Sequence, residues 1–241
     1  MTRRRWIADT WTLKDSDARP ATAALTGEQA SHLARVLRAQ PGQIFDVVAG
    51  GFLHRAEVIA VSPEKVDFLM HEELEADAAL PLYLYLAIFK FDHLEWAIEK
   101  ATELGVATIT PILARRTEKH LAQAAAKRVE RWRRIAHEAS QQSRRTDVPT
   151  IHDPMPLKLA LEKEQSPTRI LLSETEQSTT LSEALAQGTT TALAIGPEGG
   201  WTQDEMNLFT QHTWTHVTLG PRILRAETAA IAAIAIASTH L

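Results

Sequence analysis

From Leu82 onward the chain alternates short apolar runs with helix-period segments, and that alternation leaves few folds open to it. LYLYLAI (Leu82–Ile88) is apolar without interruption, as a strand buried on both faces must be. In FDHLEWAIEKATELGV, Leu94, Ala97, Ile98, Ala101 and Leu104 fall in helical spacing, and Gly105 stands where a helix C-cap belongs. VATITPI is the next strand, and a long arginine-rich helix is predicted from about Glu118 to Ser143. RILL (Arg169–Leu172), ALAIG (Ala192–Gly196) and HVTLG (His216–Gly220) predict three further buried strands, each followed by a loop and then a helix. The pattern is that of an α/β domain with a mostly parallel sheet.

The first part of the chain has a different texture. GEQASHLARVLRA (Gly27–Ala39) reads as a short helix with apolar residues at Leu33, Val36 and Leu37. QIFDVVA, a Gly50-Gly51 turn and FLHRAEVIAV make a hairpin, and Pro63-Glu64 turns into VDFLM. Short strands joined by tight turns predict a small barrel or sandwich. The polar, then alanine-rich stretch HEELEADAALP (His71–Pro81) marks the boundary, giving domains over 1–72 and 73–241.

Composition excludes several chemistries. The chain has no cysteine, which removes disulfides, cysteine nucleophiles and thiolate metal sites. His137-Glu138 lacks the second histidine of a HExxH zinc site, because Gln141 stands there, and no metal is expected. The longest apolar run, Ala229–Ala237, is far below the ~20 residues that span a bilayer. MTRRRW has no apolar stretch behind its arginines, so a soluble, cytoplasmic protein without a membrane partner is expected. The net charge of -4 hides an asymmetry. From Arg115 to Arg145 there are ten Lys and Arg against three Asp and Glu. Such a segment can hold a phosphate backbone or be simply a solvated face.

Two glycine-bearing loops end strands. IGPEGGWTQDE (Ile195–Glu205) puts three glycines and a proline into six positions, with a helix starting near Thr202. Glycines there let backbone approach a ligand, and ligands of open α/β sheets sit at the carboxyl ends of strands. The loop matches neither GxGxxG nor GxxxxGK[ST], and a plain βα turn is the alternative. In THVTLGPRILRAETAAIAAIAIA (Thr215–Ala237), a strand runs through Gly220-Pro221 and Arg222, Arg225 and Glu227 into an alanine-rich helix. That helix is apolar nearly all round, so it is buried on more than one side, in a monomer core or against a partner subunit.

Together, IGPEGGWTQDE and LGPRILRAETA resemble the RsmE family, the 16S rRNA uridine N3-methyltransferases of the SPOUT superfamily. FDHLEWAIEKATELGVATITPI, RRIAHEASQQSRRTDVP and HLARVLRAQPGQIF extend the resemblance over nearly the whole chain. Trp201 stands where the family usually has Phe, Gln141 where Glu is common, and Arg144 where a small residue often sits.

The resemblance implies a SPOUT-type parallel sheet with a C-terminal trefoil knot, behind a PUA-like RNA-binding β-barrel. It implies a homodimer that uses S-adenosylmethionine to methylate uridine N3 in 16S rRNA of the small ribosomal subunit. A related SPOUT methyltransferase acting on another rRNA or tRNA nucleotide, or a non-catalytic RNA-binding protein, are the alternatives. The cofactor loops carried over are Leu172, Ser173 and Glu174; Gly196, Pro197, Glu198, Gly199, Gly200 and Trp201; and Leu219, Gly220, Ile223, Leu224 and Arg225. Uracil N3 becomes nucleophilic as its proton leaves, so a cation facing the flanking carbonyl oxygens favours the reaction. Arg225 is the first candidate, with Arg145 as a helper, and Glu198 and Glu227 are the candidate proton acceptors. Candidate RNA contacts are Arg4, Arg35, Arg38, Arg115, Arg116, Arg131, Arg134 and Arg145.

Overall fold

The computed structural model describes residues 5–12, 21–76, 78–176 and 178–241. They fall into two compact units, residues up to Ala78 with Ser140–Asp147, and Ala79–Ala139 with Val148–Leu241.

In the first unit, β1 (Trp6–Ile7), β2 (Thr10–Thr12), β3 (Thr22–Thr26), β4 (Ile44–Ala49), β5 (Phe52–Val61) and β6 (Lys65–Leu74) form a sheet in the order β1-β4-β5-β6-β3-β2. The two outer strands are successive halves of one segment, so the sheet curls until its ends meet. At the junction Ala8 N donates to Val48 O (2.8 Å) and Asp9 N to Ala24 O (2.9 Å). The Asp9 carboxylate accepts from Thr26 N at 2.6 Å. Closure leaves the sheet no long open edge. The predicted hairpin turns through Gly50 and Gly51, both at positive φ as a two-residue turn of this twist requires. Irregularities between His54/Ala56 and Val58/Ala60 tighten the curl of β5 against β6. Trp6, Leu25, Val47, Val58, Val66 and Phe68 fill the interior. β6 runs on to Leu74, through the boundary expected after residue 72. Within this unit the buried Gln141 amide donates to Gln29 Oε1 at 2.7 Å.

The helix expected over Gly27–Ala39 stops early. α1 (Gly27–Ser31) passes into a π turn over His32–Val36, closed by Leu37 N donating to His32 O. Wider winding breaks the 3.6-residue period. Leu33 therefore turns inward while Val36 and Leu37 are 64% and 52% exposed.

The second unit contains β7 (Leu80–Ala87), α2 (Phe91–Glu103), β8 (Val106–Leu113), α3 (Lys119–Ala124), α4 (Val129–Gln142, its last turn in the first unit), β9 (Thr150–Ile151) and β10 (Met155–Pro156). α5 (Leu157–Lys163), β11 (Thr168–Leu172), α6 (Leu181–Ala184), β12 (Thr191–Ile195), α7 (Gln203–Gln211), β13 (Thr215–Val217) and α8 (Ala226–Ala237) complete it. The strand order is β10-β8-β7-β12-β11-β13, with β9 also on β8 and every pairing parallel. The apolar runs divide by parity between two cores, because alternate side chains leave a strand on opposite faces. Leu82, Leu84, Leu86, Leu193 and Ile195 join the core containing Leu94, Trp132 and Ile234. Tyr85, Ala192 and Ala194 join Leu157, Leu161, Phe209 and Trp214.

The single long basic helix expected from Glu118 to Ser143 is instead two helices joined by a 3-10 turn over Ala125–Arg128. The turn begins within the alanine run Ala124–Ala126. Gly105, at φ 96, ends α2 as expected. Among the described residues no helix is long and apolar enough to cross a membrane.

Candidate active site

Because the sheet is parallel, the loops that follow β7, β11, β12 and β13 all emerge at one end of it. They enclose a cleft of about 1050 Å³. All fourteen positions carried over for a cofactor line this cleft.

The glycine loop after β12 is shaped by what covers it. A Cβ on Gly196 would lie 3.0 Å from Trp201 Nε1 and 3.2 Å from its Cε2, so the indole occupies the place of a side chain. Trp201 stands edge-on to Phe209 with centroids 4.9 Å apart, and Phe209 meets Trp214 in the same way at 5.2 Å. This aromatic stack resists displacement of the indole. Gly200, at φ 69, closes a turn by donating to Pro197 O (2.8 Å). Thr202 caps α7, and the buried Glu205 carboxylate accepts from Thr202 N (2.8 Å) and from Arg115 N (2.7 Å). One carboxylate thus ties the end of β8 to the start of α7.

The other loops are fixed by backbone pairing. Ser173 N donates to Val217 O (3.0 Å), and Thr180 and Thr218 form an isolated parallel bridge. Thr180 also caps α6, and its hydroxyl, followed by its backbone N–H, holds the Glu183 carboxyl below the usual range. Gly220, at φ 114, turns the third loop toward Ile223, which is 82% exposed.

The three candidate catalytic residues are not equivalent. Arg225 is the N-cap residue of α8 and lines the cleft, and among the described residues no partner holds its exposed guanidinium. Glu198 also lines the cleft. Glu227 does not. Its side chain is 5% exposed, with Oε1 3.2 Å from Nδ1 of His93, which is itself part of the cleft wall. Sequence reasoning missed His93 and Lys90. The signal available was position alone, since the first turn of a helix after a parallel strand lies at the ligand end of the sheet.

The arginines expected at RNA separate similarly. Arg4 lies outside the described residues. Arg35 and Arg38 are exposed in the first unit, and Arg115 is exposed after β8. Arg116 turns to the glycine loop, donating to Gly199 O (2.5 Å) and Trp201 O (3.3 Å). Arg131 shares the Glu95 carboxylate with Arg128, at 2.8 and 3.3 Å. Arg134 is exposed beside His137 and His152 in a groove of about 770 Å³. Arg145 is a correction, both as a surface contact and as a catalytic helper. It is 8% exposed and bound to the Asp147 carboxylate, because a buried guanidinium must be paired.

Comparison with known proteins agrees with this arrangement. A model described as an RNA methyltransferase domain matches residues 76–238, and an RNA methyltransferase PUA domain matches residues 25–69. The chain is 34% identical over 229 residues to ribosomal RNA small subunit methyltransferase E of Bacillus subtilis, covering 90% of both chains. It is 37% identical over 221 residues to the Synechocystis protein of the same name, covering 89% of this chain and 72% of that one. Among solved structures, a Neisseria gonorrhoeae ribosomal RNA small subunit methyltransferase E bound to S-adenosyl methionine has a TM-score of 0.83 and 30% identity, covering 98% and 97% of the two chains. A Legionella pneumophila protein solved with bound SAM has a TM-score of 0.86 at 28% identity, covering 99% and 98%.

Proposed function

This chain belongs to the RsmE family of small-subunit ribosomal RNA methyltransferases, and from that premise we propose that it methylates uridine N3 in 16S rRNA. It is an S-adenosylmethionine-dependent rRNA methyltransferase with an N-terminal PUA-like domain. The observation that carries the reading is the convergence of three strand-end loops on one cleft, with Arg225, whose guanidinium has no partner among the described residues, at its wall.

The cleft fits the cofactor's chemistry. Gly196 under Trp201 brings bare backbone to its floor, while Leu172, Leu219 and Leu224 supply apolar wall for a nucleoside. Bound there, the cofactor supplies an electrophilic methyl group on a sulfonium. The protein's part is position and charge. Arg116 and Glu205 fix the glycine loop, and Arg225 carries a positive charge to the place where a uracil losing its proton gathers negative charge on its carbonyl oxygens. The test is mass spectrometry of 16S rRNA from cells with and without the gene. Loss of 3-methyluridine is the expected result, and its persistence overturns the assignment.

The same reading includes a homodimer and a threaded C-terminus. Ile223 and the outward residues Thr228 and Ala235 of α8 give a second copy apolar and small surface to cover. Light scattering at micromolar concentration is expected to give about twice the chain mass. A monomer that methylates RNA at full rate removes the dimer.

On the RNA side, Arg134 is expected to contact phosphate and Arg131 to contribute less, since Glu95 already offsets it. Arg134→Ala then flattens the log–log salt dependence of RNA affinity by about one unit. An unchanged slope makes that helix face merely solvated.

A further inference from the structure

The buried carboxylate of Glu227 has Oε1 3.2 Å from Nδ1 of His93, and both that Nδ1 and the second carboxylate oxygen are buried without a hydrogen-bond partner among the described residues. A carboxylate sequestered from water is costly unless it interacts with a positive or proton-donating group. The group in place is His93, whose Nδ1 lies 3.2 Å away. The imidazole stands between the carboxylate and the cleft, 31% exposed and part of the cleft wall, whereas Glu227 is not. This is the order of a carboxylate, an imidazole and a reacting group.

We propose that His93 is the proton acceptor of the methyl transfer and that Glu227 is the positioning residue that fixes its ring. The proposal rests on the uridine N3 reading above. Nδ1 is within 3.2 Å of Glu227 but not aligned to donate to it. A small rotation of the ring completes that bond, which puts the proton of the neutral ring on Nδ1 and keeps the Nε2 lone pair for the substrate. The uracil N3–H proton passes to Nε2. The electron pair left on N3 forms the bond to the methyl carbon as the carbon–sulfur bond breaks with its pair to sulfur. Glu227 stabilises the imidazolium so formed, which later returns its proton to solvent. Arg225 acts separately, on the carbonyl oxygens.

Other charged groups face the same ring. Glu198 Oε1 lies 3.9 Å from Nδ1, Asp92 Oδ2 lies 3.7 Å from Nε2, and Lys90 shares the cleft wall. Asp92 and Glu198 are more solvated than Glu227, so their charges are better screened.

Two measurements test the assignment. The first needs no turnover. Nitrogen-15 NMR of the histidine rings in the wild-type protein at alkaline pH is expected to find His93 as the Nδ1–H tautomer, moving toward Nε2–H in Glu227→Gln. An Nε2–H ring in the wild type overturns the role of Glu227. The second is single-turnover methylation of RNA against pH. The wild-type rate rises and then levels as the imidazole loses its proton. His93→Gln is expected to be slower by roughly 10²-fold and to keep rising with pH, because hydroxide replaces the fixed base. A His93→Gln profile matching wild type, or a wild-type rate that falls as the ring deprotonates, overturns the proton-acceptor role. Mass spectrometry of the same product separates the two readings. A product other than 3-methyluridine refutes the substrate assignment, whereas 3-methyluridine made at wild-type rate by His93→Gln refutes only the base.

Discussion

Replacing Arg225 by alanine is expected to lower kcat for RNA methylation by roughly 10²-fold or more, the size of effect seen when a fixed electrostatic donor to a developing anion is removed. The change falls on the chemical step, so affinity for RNA and for S-adenosylmethionine moves little. Arg225 is exposed at the head of α8 and its guanidinium has no partner among the described residues, so folding stability is expected to shift by less than about 0.5 kcal/mol, as for an ordinary surface position. Arg225→Lys recovers only part of the rate, since an ammonium is a point charge without the planar fork of a guanidinium. Single-turnover methylation at saturating cofactor, with a thermal melt of each variant, reads all three expectations. A near-wild-type rate in Arg225→Ala eliminates it as the catalytic cation. A lowered melting temperature with normal kcat makes it a structural residue instead.

The largest stability effect is expected at Trp132. Its side chain is fully buried on α4, tilted against Phe91 at a centroid distance of 6.0 Å. Trp132→Ala removes most of that packing and leaves a cavity, costing roughly 3–5 kcal/mol and lowering the melting temperature by about 10 °C for a unit of this size. The indole Nε1 is buried with no hydrogen-bond partner among the described residues, so the native side chain already carries a small penalty. Trp132→Phe retains the ring contact and removes the orphan donor, and is expected to cost only about 1–2 kcal/mol. Denaturant melts followed by circular dichroism measure both. Equal losses in the two variants would mean that the indole N–H has a partner after all.

The elements that sequence reasoning read well are those whose signal is local. LYLYLAI and ALAIG became central parallel strands because short uninterrupted apolar runs fit strands buried on both faces. The helix expected to start near Thr202 does so, with Thr202 as its N-cap. Gly50-Gly51 made its turn. Where the reading failed, a longer-range balance decided. Val36 and Leu37 have helical spacing from Leu33, yet a π turn carries them outward. The basic stretch from Glu118 has continuous helix-forming composition, yet it is divided by a 3-10 turn. Arg145 reads as one more cation in a basic run, and only packing reveals Asp147 beside it in a buried place.

The sequence by itself determined the parallel α/β scaffold, the barrel strands before it, and the two glycine-bearing loops at strand ends. All of these follow from periodicity, glycine placement and the rule that parallel strands deliver their loops to the same side. Its motifs also carried the family resemblance. Tertiary structure alone decided which charges are available. Arg131 is offset by Glu95, Arg116 serves the glycine loop, Arg145 is buried, and Arg225 is left open to the cleft. It also decided that Glu227 is buried against His93, 134 positions earlier in the chain. Charge and spacing are written along the chain, but burial and pairing are properties of three-dimensional neighbours, and these set the free energy of every ionised group.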